Sequence, residues 1–142
     1  MGDIMFFSGK YCLAVDEKGR FRFPEVWEKD LGKKIFVSKI NEKMINVKKG
    51  ENIELLFESL SNGEIVAEQE KINRVFANSS LIESDAKGRF TLPPSFGFSG
   101  TKNIYAVGSL DCITLFFNQE FYDKMIEEND KYKEMLKILN NG

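Results

Sequence analysis

Val15-Asp16-Glu17-Lys18-Gly19-Arg20-Phe21-Arg22-Phe23-Pro24 and Ser84-Asp85-Ala86-Lys87-Gly88-Arg89-Phe90-Thr91-Leu92-Pro93 are two versions of one phrase. Both contain Asp-x-Lys-Gly-Arg, and they stand 69 residues apart. Applied without a gap, that offset also lays Phe7 on Phe76, Lys33 on Lys102 and Ile35 on Ile104, which marks an internal repeat. A unit of about 50 residues buries too small a fraction of its surface to be comfortable alone. The two copies are therefore expected to share one core as a pseudo-symmetric pair.

Around each motif the apolar residues alternate. Tyr11, Leu13 and Val15 interleave with Cys12 and Ala14 before the first copy, and Phe21 and Phe23 with Arg20 and Arg22 after it. Period two on both sides of a short polar gap predicts strand, turn, strand, that is, a hairpin. Asp16 and Asp85 are placed to cap the turns with their carboxylates, and Gly19 and Gly88 to supply the positive φ that such loops need. Pro24 and Pro93 end the second strand of each hairpin and pre-set the backbone for a short helix or turn. Residues 34–39 and 103–108 then read as buried strands, followed by 44–47 and 113–117, so that each repeat is two hairpins hinged at a proline. Between the repeats a further strand is expected at 53–57, a turn at Asn62-Gly63, and a helix carrying Ile65, Gln69, Ile72 and Phe76. After Asn118, a good N-cap, the stripe of Phe121, Met125, Tyr132, Met135, Leu136 and Leu139 predicts an amphipathic helix of about five turns, packed on the core or a neighbouring subunit or else docking a protein partner. The chain thus divides into a first repeat at 5–50, an acidic linker with a helix at 51–76, a second repeat at 77–117 and a C-terminal helix at 118–142.

Composition narrows the function. At 42% apolar and 30% charged the chain has the makings of a globular protein with a real core. No run approaches the roughly 18 apolar residues of a membrane span, and the start has no basic leader region, so neither membrane insertion nor export is expected. Cys12 and Cys112 are isolated and make neither a disulfide framework nor a zinc site, which fits a reduced, cytoplasmic compartment and no bound metal. Histidine is absent altogether. That removes the commonest general base and every Ser-His or Cys-His dyad, so the chain is not expected to be an enzyme and no cofactor is implied. The net charge of −2 conceals an asymmetry: residues 1–50 carry +4, 51–76 carry −4, 77–117 are neutral and 118–142 carry −2. A polyanion would meet the first repeat most readily.

Asp and Arg at i and i+4 can pair simply to hold a hairpin together, and an exposed pair contributes little to stability. Two further features point past that role. Lys18 and Lys87 sit inside the turns, where Asn or Asp would be ordinary, and each turn is followed by an arginine where a strand-preferring residue is expected. Both copies therefore raise a cationic tip. Two such tips related by a two-fold axis suit double-stranded DNA, with lysine contacting phosphate and arginine able to pair with guanine O6 and N7. The candidate DNA-contacting residues are Lys18, Arg20, Arg22, Lys87 and Arg89, with Asp16, Gly19, Asp85 and Gly88 forming the turns.

Phe7-Ser8-Gly9-Lys10-Tyr11 with the first motif, Asn73-Arg74-Val75-Phe76-Ala77 with the second, and Val107-Gly108-Ser109-Leu110-Asp111 near the end resemble the MraZ family of bacterial transcription regulators across about residues 5–122. That resemblance implies a mainly β fold with short helices, a double-split β-barrel of the swapped-hairpin AbrB and MazE type built from the tandem repeats. It further implies a sequence-specific, DNA-binding homo-oligomer, a ring, acting on promoter repeats and associated with the nucleoid. The family's Asp-x-x-x-Arg signature falls on Asp16, Arg20, Asp85 and Arg89. The chain is a divergent relative: Glu25-Val26-Trp27-Glu28 and Pro94-Ser95-Phe96-Gly97 stand where the family usually places a basic residue, Asp111-Cys112 replaces its Asp-Arg, and Phe116 or Phe117 its closing tryptophan. The alternative expectation is an oligomeric interaction protein on the same fold that no longer binds DNA.

Overall fold

A computed structural model describes residues 7–97, 102–128 and 130–141; the first two residues of the expected 5–50 repeat lie outside it. The described elements run β1 (Lys10–Ala14), β2 (Arg20–Phe21), α1 (Glu25–Leu31), β3 (Lys34–Lys39), β4 (Met44–Lys49), α2 (Gly50–Ser61), α3 (Gln69–Phe76), β5 (Ser79–Glu83), β6 (Phe90–Thr91), β7 (Asn103–Gly108), β8 (Ile113–Phe116), α4 (Gln119–Glu128) and α5 (Asp130–Asn141). A six-stranded antiparallel sheet in the order β1-β7-β8-β4-β3-β5 faces a two-stranded ribbon of β2 and β6. Mainly β with short helices, the architecture agrees with the sequence reading at that level.

The hairpin expected inside each repeat forms its turn but not its ladder. Asp16 N–H donates to the Arg20 carbonyl at 2.9 Å, and Gly19 N–H to the Asp16 carbonyl at 3.0 Å. The arms then part, β1 pairing with β7 and β2 with β6. The two residues of β2 are stopped by Pro24 soon after they start, too short a run to hold a partner strand of its own repeat. Crossing to the other repeat instead lets Phe21 pair with Phe90 and buries both rings.

Sheet order is a palindrome under the repeat. Lys10 opposite Val107 on one edge recurs as Ser79 opposite Ser38 on the other. Phe21 faces Phe90, its own counterpart, so the pseudo-two-fold axis passes between them. On the sheet side the axis passes through the β4–β8 pairing, where Asn46 stands opposite Thr114. Here the ungapped offset of 69 fails. Lys39 pairs with Ile45 across a loop of 40–44, whereas Gly108 pairs with Ile113 across 109–112, so β8 runs one residue early. Leu110, at φ 71, tightens that shorter loop. Because side chains alternate faces, the shift is what keeps Ile113 and Leu115 pointing inward beside Ile45 and Val47.

Between sheet and ribbon lies one core, which supplies the burial that neither half could provide alone. Phe21, Phe23 and Phe90 meet edge-on or tilted at centroid distances of 5.3, 6.4 and 5.6 Å. Trp27 enters from α1, its indole N–H donating to the Ser8 carbonyl at 3.1 Å, and Phe96 enters from the short 3-10 turn after Pro93. The prolines thus launch helical turns as their positions predict.

Three local expectations are corrected. Residues 53–57 belong to helix α2, not to a strand: Ile53, Leu56 and Leu60 recur at i, i+3 and i+7 and are half-buried, while Leu55 and Phe57 point outward. A short apolar run has no periodicity of its own, and the flanking residues decide it. The helix expected from Ile65 begins only at Gln69. Phe7 and Phe76, aligned by the offset, differ in environment: Phe7 is in the core, whereas Phe76 is partly exposed and lies 5.7 Å from the Phe36 ring. Asn118 caps α4 as expected, its Oδ1 accepting from Phe121 N–H at 3.0 Å. The C-terminal segment is helical over the described residues 119–128 (α4) and 130–141 (α5), with residue 129 and the Tyr132 side chain outside the description.

Candidate nucleic-acid interface

Each turn is built around its aspartate. Asp16 Oδ1 accepts the backbone N–H groups of Lys18 and Arg20 at 2.9 and 2.8 Å, and Oδ2 accepts Arg20 Nε at 2.6 Å. Asp85 repeats the set with Lys87 and Arg89 at 2.9, 2.9 and 2.8 Å. Gly19 and Gly88 both hold φ at 79, the left-handed value the loop requires. In both copies the backbone N–H of the arginine, then its guanidinium and the lysine N–H, hold the aspartate carboxyl below the ordinary carboxylate range against some desolvation. The aspartates are ionised turn-builders.

Those bonds settle how the cations are distributed. Arg20 and Arg89 direct Nε to their own aspartates, with about 30% of each side chain exposed and the two Nη nitrogens unbonded among the described residues. Arg22 forks onto Glu28 of α1 through Nε to Oε1 and Nη2 to Oε2, the latter at 3.2 Å. That hydrogen bond pushes the Glu28 carboxyl down and the Arg22 guanidinium up. Lys18 and Lys87 are exposed at the turn tips with no carboxylate partner among the described residues.

The ribbon brings these groups together. Phe21 and Phe90 point into the core, so alternation turns Arg20, Arg22, Arg89 and Thr91 to the other side. Since β2 and β6 run antiparallel, the two turns lie at opposite ends of the ribbon, one lysine at each end. Lys18, Arg20, Arg22, Lys87 and Arg89 therefore share one surface around the pseudo-two-fold axis, although three of the five are paired with carboxylates.

Symmetry breaks beside the second turn. A cleft of about 600 Å³ lies there, lined by Arg22, Glu28, Lys33, Ser84, Lys87 and Gly88. Thr91 and Gly97 occupy the positions equivalent to Arg22 and Glu28, so the ion pair has no mate. Sequence reasoning missed Glu28 as part of this surface. The signal was present in the lost repeat match after the prolines, but the fork onto Arg22 depends on where α1 lies.

Among the described residues no group of three or more His, Cys, Asp or Glu side chains is gathered as a metal would require. Burial, followed by Asp111, pushes the Cys112 thiol up, the reverse of what an activated cysteine needs. No described helix is long and apolar enough to cross a membrane. No protein-family profile matches this chain, and no curated protein is detectably similar to it.

Proposed function

We propose that the protein is a sequence-specific, double-stranded DNA-binding transcription regulator that works as a homo-oligomer, a divergent relative of the MraZ regulators. The observation that carries the reading is the β2–β6 ribbon, which sets two matching Asp-x-Lys-Gly-Arg turns at the two ends of one surface across a pseudo-two-fold axis. A duplex backbone has two-fold symmetry of its own, so both tips can make equivalent phosphate contacts. The Nη edges of Arg20 and Arg89 then face outward beside the tips as the groups able to meet a base or a phosphate. The same reading takes the sheet and ribbon as the parts of a double-split β-barrel, with each repeat passing from one part to the other through its turn. It assigns no catalytic step and no cofactor.

Homo-oligomerisation fits the modest charge of this surface, because several weak tips engaged together raise affinity through effective concentration. It also gives a use to Leu55 and Phe57 on α2 and to Met135, Leu136, Ile138 and Leu139 on α5, which are exposed in the single chain. Selecting bound fragments from a random duplex pool, with particle mass measured on the same sample, tests the reading. Enrichment of a motif by an oligomer supports it; no retained fragment at 50 mM salt refutes it.

One observation favours a second reading, an interaction protein that keeps the fold without binding DNA. Asp16, Asp85 and Glu28 compensate three of the five cations, which leaves a weak field over the surface. Recovery of a stoichiometric protein partner free of nucleic acid would favour this reading over the first.

A further inference from the structure

We infer that Glu28 is a charge mask on the DNA-facing surface, holding out of use the one arginine of the two repeats that has no counterpart in the other. The inference rests on the DNA-binding reading above and concerns the strength and specificity of that grip. Arg22 stands where the second repeat has Thr91, so an unmasked Arg22 would place an extra cation at one end of the ribbon only. Glu28 stands where the second repeat has Gly97. The extra cation and the extra anion thus occur in the same repeat, and the fold brings them into a two-bonded fork.

Glu28 differs from the aspartates in what its carboxylate does. Asp16 and Asp85 each accept two backbone N–H groups and so build their turns. The Glu28 carboxylate accepts only from Arg22 among the described residues. It shapes no turn, and its helix bonds run through the backbone. A carboxylate gripping a guanidinium side-on is also the nearest protein equivalent of a phosphate in the same place, so the two compete for Arg22 directly.

Gly88 marks the position of the mask. A Cβ added there would stand 3.3 Å from Glu28 Oε1 and 3.6 Å from Arg22 Nε, so the pair lies against the bare backbone of the second turn. The same construction at Gly19 meets nothing within 4 Å. The Arg22–Glu28 pair therefore sits at the Lys87 end of the ribbon, in the cleft beside the second turn, where a phosphate reaching Lys87 would encounter it.

The test compares the full-length protein with Glu28→Gln, Glu28→Ala, Arg22→Ala and the Glu28→Gln/Arg22→Ala double variant, using a labelled random-sequence duplex of 30 base pairs from 50 to 300 mM salt. Unmasking one cation steepens the log-affinity against log-salt slope by about 0.9 per engaged chain, which at 0.15 M makes binding about fivefold tighter. Both Glu28 variants are expected to show that gain, Arg22→Ala alone to bind more weakly because it leaves the Glu28 carboxylate bare beside Lys87, and the double variant to return to the wild-type slope. Particle mass and melting temperature measured on the same samples keep assembly and folding fixed. Unchanged or weaker binding by both Glu28 variants, with the wild type binding normally, overturns the mask and leaves the DNA reading standing. If no variant binds at 50 mM salt, both fall.

Discussion

Replacing Lys18 and Lys87 by alanine removes the two cations of the interface that have no carboxylate partner among the described residues. Each unpaired cation that meets a phosphate releases about 0.9 of a counterion, so two per chain give a salt slope near −1.8 for each chain engaged. A rise from 50 to 200 mM salt should then weaken binding about twelvefold per engaged chain in the wild type, and about 3.5-fold in either single variant. Because the turns are equivalent down to their hydrogen bonds, Lys18→Ala and Lys87→Ala should lower the slope equally. Neither lysine side chain supports the turn, which is held by aspartate and glycine, so the melting temperature should stay put. Fluorescence anisotropy of a labelled duplex, repeated at five or six salt concentrations, reads the slope directly. A double variant whose slope matches the wild type, with binding intact, would refute the assignment of the turn tips to phosphate.

Other expectations follow from the axis and the turns. Phe21→Ala and Phe90→Ala each empty one side of a buried pair on the pseudo-two-fold axis and should each cost about 3–5 kcal/mol, close to equal for the two; urea unfolding of both variants checks this. Gly108→Ala would bring a methyl to 2.4 Å from Ser8 N and 2.5 Å from the Phe7 carbonyl carbon, backbone that cannot turn aside, so a loss of roughly 1–3 kcal/mol is expected by the same assay. Acid should weaken the fold through Asp16 and Asp85. Their carboxyls are depressed in the native state, so the unfolded chain binds more protons as pH falls. The stability they lend is complete above the unfolded pKa of about 4 and is lost as pH falls through the native values. The Asp16→Asn/Asp85→Asn variant should show a flatter urea midpoint between pH 6 and pH 3.

Much of this fold was legible because it depends on short-range rules read twice. Positive φ at Gly19 and Gly88, the aspartate caps and the helical turns after Pro24 and Pro93 are local events, and one sequence window contains everything each requires. Partner choice is not local. Nothing in residues 10–23 says that β1 will leave β2 for β7, since the gain comes from burying Phe21 against Phe90 in the other repeat. The one-residue shift in β8 was hidden for a similar reason. Alternation fixes which residues face inward but not how many a loop consumes, and the residues 109–112 carry no turn signal strong enough to count from.

The site was legible in its residues but not in its electrostatics. Sequence places five cations near the repeated turns, and five exposed cations would make a strongly attractive surface; geometry pairs three of them and leaves two. For Arg20 and Arg89 the aspartate partner lies four residues away, so pairing could be read as one of two possibilities from spacing alone. For Arg22 it could not, because Glu28 reaches it only after the chain has turned at Pro24 into α1. If the proposed DNA binding holds, affinity cannot come from charge density at a single ribbon. With about two released counterions per chain, a lone protomer would sit at the weak end of non-specific binding, and useful affinity requires several ribbons on one duplex. On the proposed reading DNA binding and self-association are coupled: a variant that dissociates the assembly without touching the ribbon should lose DNA affinity as thoroughly as one that removes both lysines, and a dissociated protomer that still bound a single site at full strength would break that coupling.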